Sequence, residues 1–322
     1  MTRPALIGDI GGTNARFALV TPDAFDLQAI QTLRCADYPT LEAAVRDYLA
    51  RVGAVGERAP REACLAFACP VHDDDVRLTN NAWRFSKRRV KADLALELFK
   101  VINDFTAQAL GIPHVDAEQL VAVGAGQADA HRTRLVIGPG TGLGMAGLFP
   151  GQHDWIPLPT EGGHVTFAPT DEFEQQLVSL LRGSYGRVSV ERVLCGQGLL
   201  DLYRAHAHDA GIEARHDSPA AVTDGARDGD PVAEATILRF LKMLGDVCGD
   251  AALTFGARGG VYLCGGVVPR LLDWLPRSDF RRAFADKGRM SDFNASLPVW
   301  VVTAPWTGLL GACEALHNQE VA

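Results

Sequence analysis

Ile7-Gly8-Asp9-Ile10-Gly11-Gly12-Thr13-Asn14 carries an apolar run into two adjacent glycines and small polar residues, and a second apolar run over residues 15–20 follows at once. Two strands joined this tightly make a hairpin. Glycine there permits positive φ and close approach of a ligand to backbone N–H groups, as a phosphate cradle requires. Asp9 stands at the strand end facing the turn, where it can hold a magnesium ion directly or through water. The same letters also spell an ordinary hairpin turn, so the stretch alone leaves both readings open.

Outward from this hairpin the pattern returns twice. Residues 134–137 and 145–149 read as strands joined by Gly138-Pro139-Gly140-Thr141-Gly142-Leu143-Gly144, and residues 260–264 read as a buried strand ending at Gly265-Gly266-Val267-Val268-Pro269. Glycines at the carboxyl ends of strands suit phosphates and the rim of a nucleotide pocket, where a side chain would collide with the ligand. The repetition counts for more than any single turn.

The remaining pattern alternates strands and helices. Strands are expected at 29–33, 63–68, 76–79 and 100–103. Thr40 can cap a helix with Leu41, Ala44, Val45, Tyr48 and Leu49 on one face, and helices are expected around 93–99 and over 105–110. Trp83 and Phe85 are expected as core anchors. Gly111-Ile112-Pro113 marks a boundary, after which helices are expected at 171–181, within 191–208, over 232–255 and through 271–275. A strand at 299–303 and a helix at 307–317 close the chain. This order describes an α/β protein with a small domain, 1–111 completed by 304–322, and a large domain, 112–303.

Composition bounds the function. The chain has 322 residues, 47% hydrophobic and 22% charged, enough for two domains with substantial cores. Its mean hydropathy of +0.03 describes a soluble globular chain. Thirty-nine acidic against 31 basic side chains leave a net charge of -8, which gives no support for a nucleic-acid or membrane partner. No run approaches the roughly 18 apolar residues of a membrane span and no secretory apolar core opens the chain, so a cytoplasmic location is expected. Seven scattered cysteines form no CxxC or CxC pair. Buried reduced thiols are expected, rather than a disulfide framework or a thiolate zinc site.

Three polar groups stand out. Asn103-Asp104 follows an apolar strand; an Asp there can take the proton of a hydroxyl attacking phosphorus while the Asn orients sugar hydroxyls. The plainer reading makes Asp104 the N-cap of the next helix. Glu161-Gly162-Gly163-His164 offers a carboxylate and an imidazole to neighbouring hydroxyls of a polyol, or is simply a surface loop. Glu191 reads as a helix-start residue or a further hydroxyl acceptor. No GxSxG elbow, GxxxxGK[ST] loop or dinucleotide fingerprint occurs, so any nucleotide site rests on the glycine hairpins.

Together, Leu6-Ile7-Gly8-Asp9-Ile10-Gly11-Gly12-Thr13-Asn14-Ala15-Arg16, Leu78-Thr79-Asn80-Asn81-Ala82-Trp83, Ile102-Asn103-Asp104-Phe105, Gly140-Thr141-Gly142-Leu143-Gly144, Glu161-Gly162-Gly163-His164, Glu191-Arg192-Val193-Leu194 and Gly265-Gly266-Val267-Val268-Pro269-Arg270 closely resemble the bacterial glucokinase family. That family lies in the hexokinase branch of the sugar-kinase and actin-like ATPase superfamily. The motifs come in order and span nearly the whole chain. The resemblance implies two ribonuclease-H-like α/β domains flanking a nucleotide- and sugar-binding cleft, with ATP, magnesium and glucose as ligands. It implies Asp104 as general base on the glucose 6-hydroxyl, and Asn80, Asn103, Glu161, His164 and Glu191 as holders of the other hydroxyls. Gly8, Asp9, Ile10, Gly11, Gly12, Thr13, Asn14, Gly140, Thr141 and Gly142 would grip ATP phosphates, with Asp9 near magnesium through water. Gly265 and Gly266 would border the adenosine. A homodimer is implied by resemblance alone, and the cysteine-rich zinc motif of the related repressor and kinase group is absent from the sequence. Positioning supplies much of such catalysis, so the base needs no strongly raised pKa. Rival expectations are a kinase for another hexose or an N-acetylhexosamine, and a non-catalytic sugar sensor; intact Asp9 and Asp104 disfavour the sensor.

Overall fold

The computed structural model describes residues 3–21, 24–78 and 81–321; Asn80, expected on the sugar side, and Thr79, expected to end a strand, lie outside the described residues. The chain forms two compact units, Met1–Ala117 with Leu148–Pro159 and Ala304–Ala322, and Glu118–Gly147 with Thr160–Thr303. Relative to the division expected at 111/112 and 303/304, the chief difference is the segment Leu148–Pro159, which groups with the first unit.

The first unit holds β1 (Ala5–Ile10), β2 (Asn14–Thr21), β3 (Asp26–Arg34), β4 (Glu62–Phe67), β5 (Asp75–Arg77), β6 (Arg84–Ser86) and β7 (Leu98–Asn103). Five of these form a sheet in the order β3-β2-β1-β4-β7, and β5 pairs with β6 apart from it. β1, β4 and β7 run parallel in a register that sets Ile10 beside Phe67 and Phe67 beside Asn103. Gly11 and Asp104, the residues that follow β1 and β7, therefore emerge at one edge of the sheet.

Helices cover this sheet. α1 (Leu41–Arg51) buries Leu41, Ala44, Val45 and Tyr48, and Thr40 caps it by accepting the Ala43 N–H at 3.2 Å. α2 (Lys87–Asp93) precedes β7, and α3 (Asp104–Gly111) leaves it directly. The C-terminal helix, Thr307–His317, crosses α3 at backbone contact. Side chains would forbid that crossing: a Cβ on Gly311 would lie 1.7 Å from the Ala107 oxygen. Trp83 and Phe85 are buried, as expected.

The second unit's sheet is built from β8 (Leu120–Ala122), β9 (Arg134–Pro139), β10 (Leu143–Pro150), β12 (Val261–Leu263) and β13 (Val299–Val302); β11 (Trp155–Pro159) falls within the first unit. The neighbours run β10-β9-β12-β13-β8. β9, β12 and β13 are parallel, and β8 is antiparallel to β13. The helices are α4 (Glu172–Tyr185), α5 (Val190–Val193), α6 (Gly196–Asp209), α7 (Pro219–Arg227), α8 (Pro231–Phe255), α9 (Phe280–Ala285) and α10 (Ser291–Ser296). α8 is the core helix. It starts at a proline behind the Asp230 cap, ends at left-handed Gly256, and packs Ile237, Phe240, Leu241 and Leu244 into one core with Leu135, Ile137 and Leu263.

Three expected elements differ. The helix expected around 93–99 lies earlier, as α2, because the Ser86 hydroxyl accepts the Arg89 N–H and starts it at Lys87. Val90 is its one buried side chain, so no apolar stripe marks it in the sequence. Instead of a helix through 271–275 there are two short 3-10 turns, Val268–Leu271 and Leu275–Arg277, each with a proline in its first turn. The third strand starts at Asp26; a register shift against Phe17 and Leu19 and a left-handed Ala29 hide that start. The helix expected within 191–208 is α6, and the short α5 precedes it, parted from it where Cys195 turns extended. All seven cysteines are buried and unbridged. Among the described residues no helix is long and apolar enough to cross a membrane.

Candidate active site

At the first unit's sheet edge, Asn103 ends β7 and caps α3, its Oδ1 accepting the N–H groups of Phe105 at 2.9 Å and Thr106 at 3.3 Å. The cap is thus Asn103 and not Asp104: Asn103 keeps extended backbone angles, while Asp104 is already the first helical residue. Asp104 accepts the Phe105 N–H through Oδ1 at 2.9 Å. Burial first, then the charge of Asp9, raise its carboxyl to about 7, against opposing hydrogen bonds from Phe105, its own N–H and Asn103. That is a larger shift than the sequence reading required.

Asp9 is also raised, by burial, with Arg16 opposing. Arg16 faces Asp9 in register across the hairpin, and its Nη1 donates to Oδ2 at 3.2 Å. The C-terminal helix approaches the same carboxylate closely. A Cβ on Gly308 would lie 3.3 Å from Asp9 Oδ2 and 3.2 Å from Gln108 Nε2. Among the described residues no three His, Cys, Asp or Glu side chains gather into a metal cluster. Asp9 nonetheless suits magnesium: it is a hard oxygen donor whose charge raises Asp104, and a divalent cation would relieve that repulsion.

The turn after β1 is closed by the Gly11 N–H donating to the Asn14 oxygen at 2.9 Å, and the Cys35 N–H supports it from Thr13 at 2.9 Å. Neither Gly11 nor Gly12 takes positive φ, so of the two uses glycine permits here positive φ is not the one taken. A Cβ on Gly11 would meet nothing nearer than the Asn14 oxygen at 3.7 Å. Gly8 and Ile10 lie deeper. A Cβ on Gly8 would strike Leu65 at 2.8 Å, and Ile10 is fully buried, so their side-chain positions belong to the sheet core.

In the second unit the turns after β9 and β12 lie side by side, since these strands are parallel neighbours. The Val267 N–H donates to the Pro139 oxygen at 3.2 Å. Gly265, at φ 80°, has that oxygen 2.6 Å from where a Cβ would be, whereas a Cβ on Gly266 would meet nothing within 4 Å. The turn over 140–142 is closed by the Gly140 N–H donating to the Gly142 oxygen at 2.7 Å, with Thr141 exposed. Glu191 reaches this turn from α5, its Oε2 accepting the Leu143 N–H at 2.9 Å.

Glu161 and His164 lie on a solvent-facing loop, Nε2 to Oε2 3.9 Å apart and each 59% exposed. That loop is fastened to the chain leading into α5. The Val190 N–H donates to the Val165 oxygen at 2.9 Å and the Phe167 N–H to the Val188 oxygen at 3.2 Å. Arg187 donates to the His164 oxygen at 2.8 Å and the Thr166 hydroxyl at 3.0 Å. Glu161, His164, Glu191 and the turn over 140–142 are thereby one connected piece of the second unit. Sequence reasoning misses Arg16, Gln108, Gly308 and Arg187. Only Arg16 carried a signal, because a hairpin centred on 11–14 pairs position 9 with 16; the others arrive through tertiary folding.

Phosphoryl transfer to an alcohol asks for a group to receive the hydroxyl proton and a surface that grips phosphate. Asp104 is a carboxylate of the kind the first need asks for and the glycine turns are backbone of the kind the second asks for, as in α/β kinases acting on small hydroxyl compounds. Comparison with known proteins narrows this. The family profile of glucokinase matches residues 6–319. A glucokinase of Chromohalobacter salexigens is 71% identical over 321 residues, covering 100% of both chains. One from Hahella chejuensis is 55% identical over 318 residues, covering 98% of each. The crystal structure of glucokinase from an Antarctic psychrotroph matches with a TM-score of 0.87 at 39% identity, covering 98% of this chain and 99% of that one. The chain belongs to the glucokinase family.

Proposed function

We propose that this chain catalyses the ATP-dependent phosphorylation of D-glucose at its 6-hydroxyl, giving ADP and glucose 6-phosphate. Asp104 carries this reading: its carboxyl, raised to about 7, sits at the mouth of a strand–helix junction in a chain of the glucokinase family. The sugar oxygen bonds to the γ-phosphorus, the bond from that phosphorus to the bridging oxygen breaks, and the hydroxyl proton passes to ionised Asp104. A pKa near the working pH keeps a sizeable ionised fraction while preserving basicity.

Glu161, His164, Glu191, Asn103 and Asn80 hold the remaining sugar hydroxyls. Asn103 spends Oδ1 on the helix cap and keeps Nδ2, 3.5 Å from the Cys69 oxygen, as a donor for the sugar. The turns over 11–14 and 140–142 grip the phosphates, and Gly265-Gly266 borders the adenosine. Gly11, Gly140 and Gly266 support this assignment, since none has positive φ and a Cβ on any of them would meet nothing nearer than 3.7 Å. Nothing among the described residues calls for glycine there, whereas a ligand pressed on the backbone does. Asp9 would hold magnesium through water; magnesium when bound neutralises charge on the phosphate oxygens.

In this reading each unit is a ribonuclease-H-like domain, and the protein is a cytoplasmic homodimer. Resemblance supports these points, and sedimentation equilibrium tests the dimer. The activity itself is tested by ADP release with glucose, mannose, fructose, N-acetylglucosamine and N-acetylmannosamine. Glucose should give the highest kcat/KM. Preference for an N-acetylhexosamine would reassign the substrate, and no ADP with any sugar would leave a binding protein.

A further inference from the structure

The chain over 191–196 holds the second glycine turn at both ends. On the β10 side, Glu191 Oε2 accepts the Leu143 N–H at 2.9 Å. On the β9 side, the Gly196 N–H donates to the Gly140 oxygen at 2.9 Å. Between these anchors the carboxylate lies directly over Gly142, where a Cβ would sit 2.3 Å from Oε2. Leu143 and Leu194 are buried in the same core, so both segments are seated from below as well. The extended residue Cys195, whose Sγ accepts the Gly198 N–H at 3.3 Å, separates α5 from α6 and lets 191 and 196 serve opposite ends of one turn. Among the described residues Glu191 Oε1 has no hydrogen-bond partner.

We propose that Glu191 is a positioning residue for the nucleotide as well as a contact for the sugar. Oε2 fixes the turn over 140–142 whether or not sugar is present, and Oε1 receives a sugar hydroxyl. One carboxylate thus links sugar occupancy to the shape of the phosphate-gripping turn. A hydrogen bond from a buried N–H to an ionised carboxylate is stronger than a neutral one, and its loss leaves the Leu143 donor unpaired. The linkage is reciprocal: whatever factor glucose adds to nucleotide affinity, nucleotide adds to glucose affinity. This inference rests on the glucokinase reading above.

The test is calorimetric binding of the magnesium complex of a non-hydrolysable ATP analogue, without sugar, to the full-length wild type, Glu191→Ala and Glu191→Gln. The amide oxygen of Gln can still accept from Leu143 N–H, but its NH2 faces the sugar with the wrong polarity. Glu191→Ala should weaken nucleotide binding about tenfold and Glu191→Gln no more than about twofold, while both raise the glucose KM by about tenfold or more. Gly142→Ala, which displaces the carboxylate from the other side, should raise the glucose KM although residue 142 is not a sugar contact. Far-UV circular dichroism of each variant confirms that it is folded. Unchanged nucleotide affinity in Glu191→Ala overturns the proposal, as does equal loss in Ala and Gln variants. Failure of the wild type to phosphorylate glucose would instead overturn the reading beneath it.

Discussion

The two glycine turns each have a carboxylate beside their backbone, brought there by different means. At 11–14 the carboxylate is Asp9, on the strand that enters the turn, and its arginine partner Arg16 comes from the strand that leaves it. At 140–142 the carboxylate is Glu191, which meets the backbone of a residue 48 positions away in sequence. The first turn is a local device. The second is finished only when α5 folds onto it, so its geometry answers to what happens elsewhere in its unit.

The largest effect expected is one that touches neither turn. Asp104→Asn should cut kcat by about 10²-fold or more while glucose KM moves by no more than about threefold. Steady-state kinetics with both substrates checks this, and near-normal turnover would remove Asp104 as the base. Next come the glycines. Gly142→Ala drives a methyl into Glu191 and should lower kcat/KM for both substrates by about 10- to 100-fold. Gly11→Ala, with open space before it, should leave thermal stability within about 0.5 kcal/mol of wild type and raise the ATP KM alone, by about tenfold. A Gly11→Ala protein that is unstable yet binds ATP normally would break the distinction between the turns.

A smaller effect follows from charge burial. In metal-free buffer the Asp104 carboxyl titrates at about 7 when folded and near its ordinary 3.8 when unfolded, so the folded state holds the extra proton between these values. Stability is then lost as pH rises through that window. Asp104→Asn should accordingly be more stable than wild type at pH 8 by on the order of 1–3 kcal/mol, with the gap closing by about pH 4. Urea titrations at the two pH values measure it. Least is expected of Arg16→Gln. Its side chain is 41% exposed, so the stability loss should stay below about 1 kcal/mol. The Asp9 carboxyl, losing the influence that opposes its burial, should bind the magnesium nucleotide a fewfold more weakly.

The sequence yields what is local and hides what is assembled. β1, β2, β9, β10 and α8 are legible because an apolar run, or a stripe of period 3.6, is punctuated by glycine or proline. α2 is not, since a polar helix with a single buried valine leaves no stripe. Asn103 and Asp104 are recognisable as a pair, but which one caps α3 depends on backbone angles that two adjacent capping residues cannot reveal. Glycine at 11 and 12 permits either positive φ or close approach, and the letters do not say which; neither residue takes positive φ. The link from Glu191 to Leu143 lies beyond any spacing rule. The extended Cys195 that follows lets Gly196 hold the other end of the same turn.

The most direct test is a crystal structure with glucose, magnesium and a non-hydrolysable ATP analogue bound together. An Asp104 carboxylate oxygen about 3 Å from the glucose 6-oxygen, with that oxygen in line with the γ-phosphorus, is the predicted result. A closed complex in which Asp104 lies away from that hydroxyl, or in which another side chain occupies its place, would contradict it.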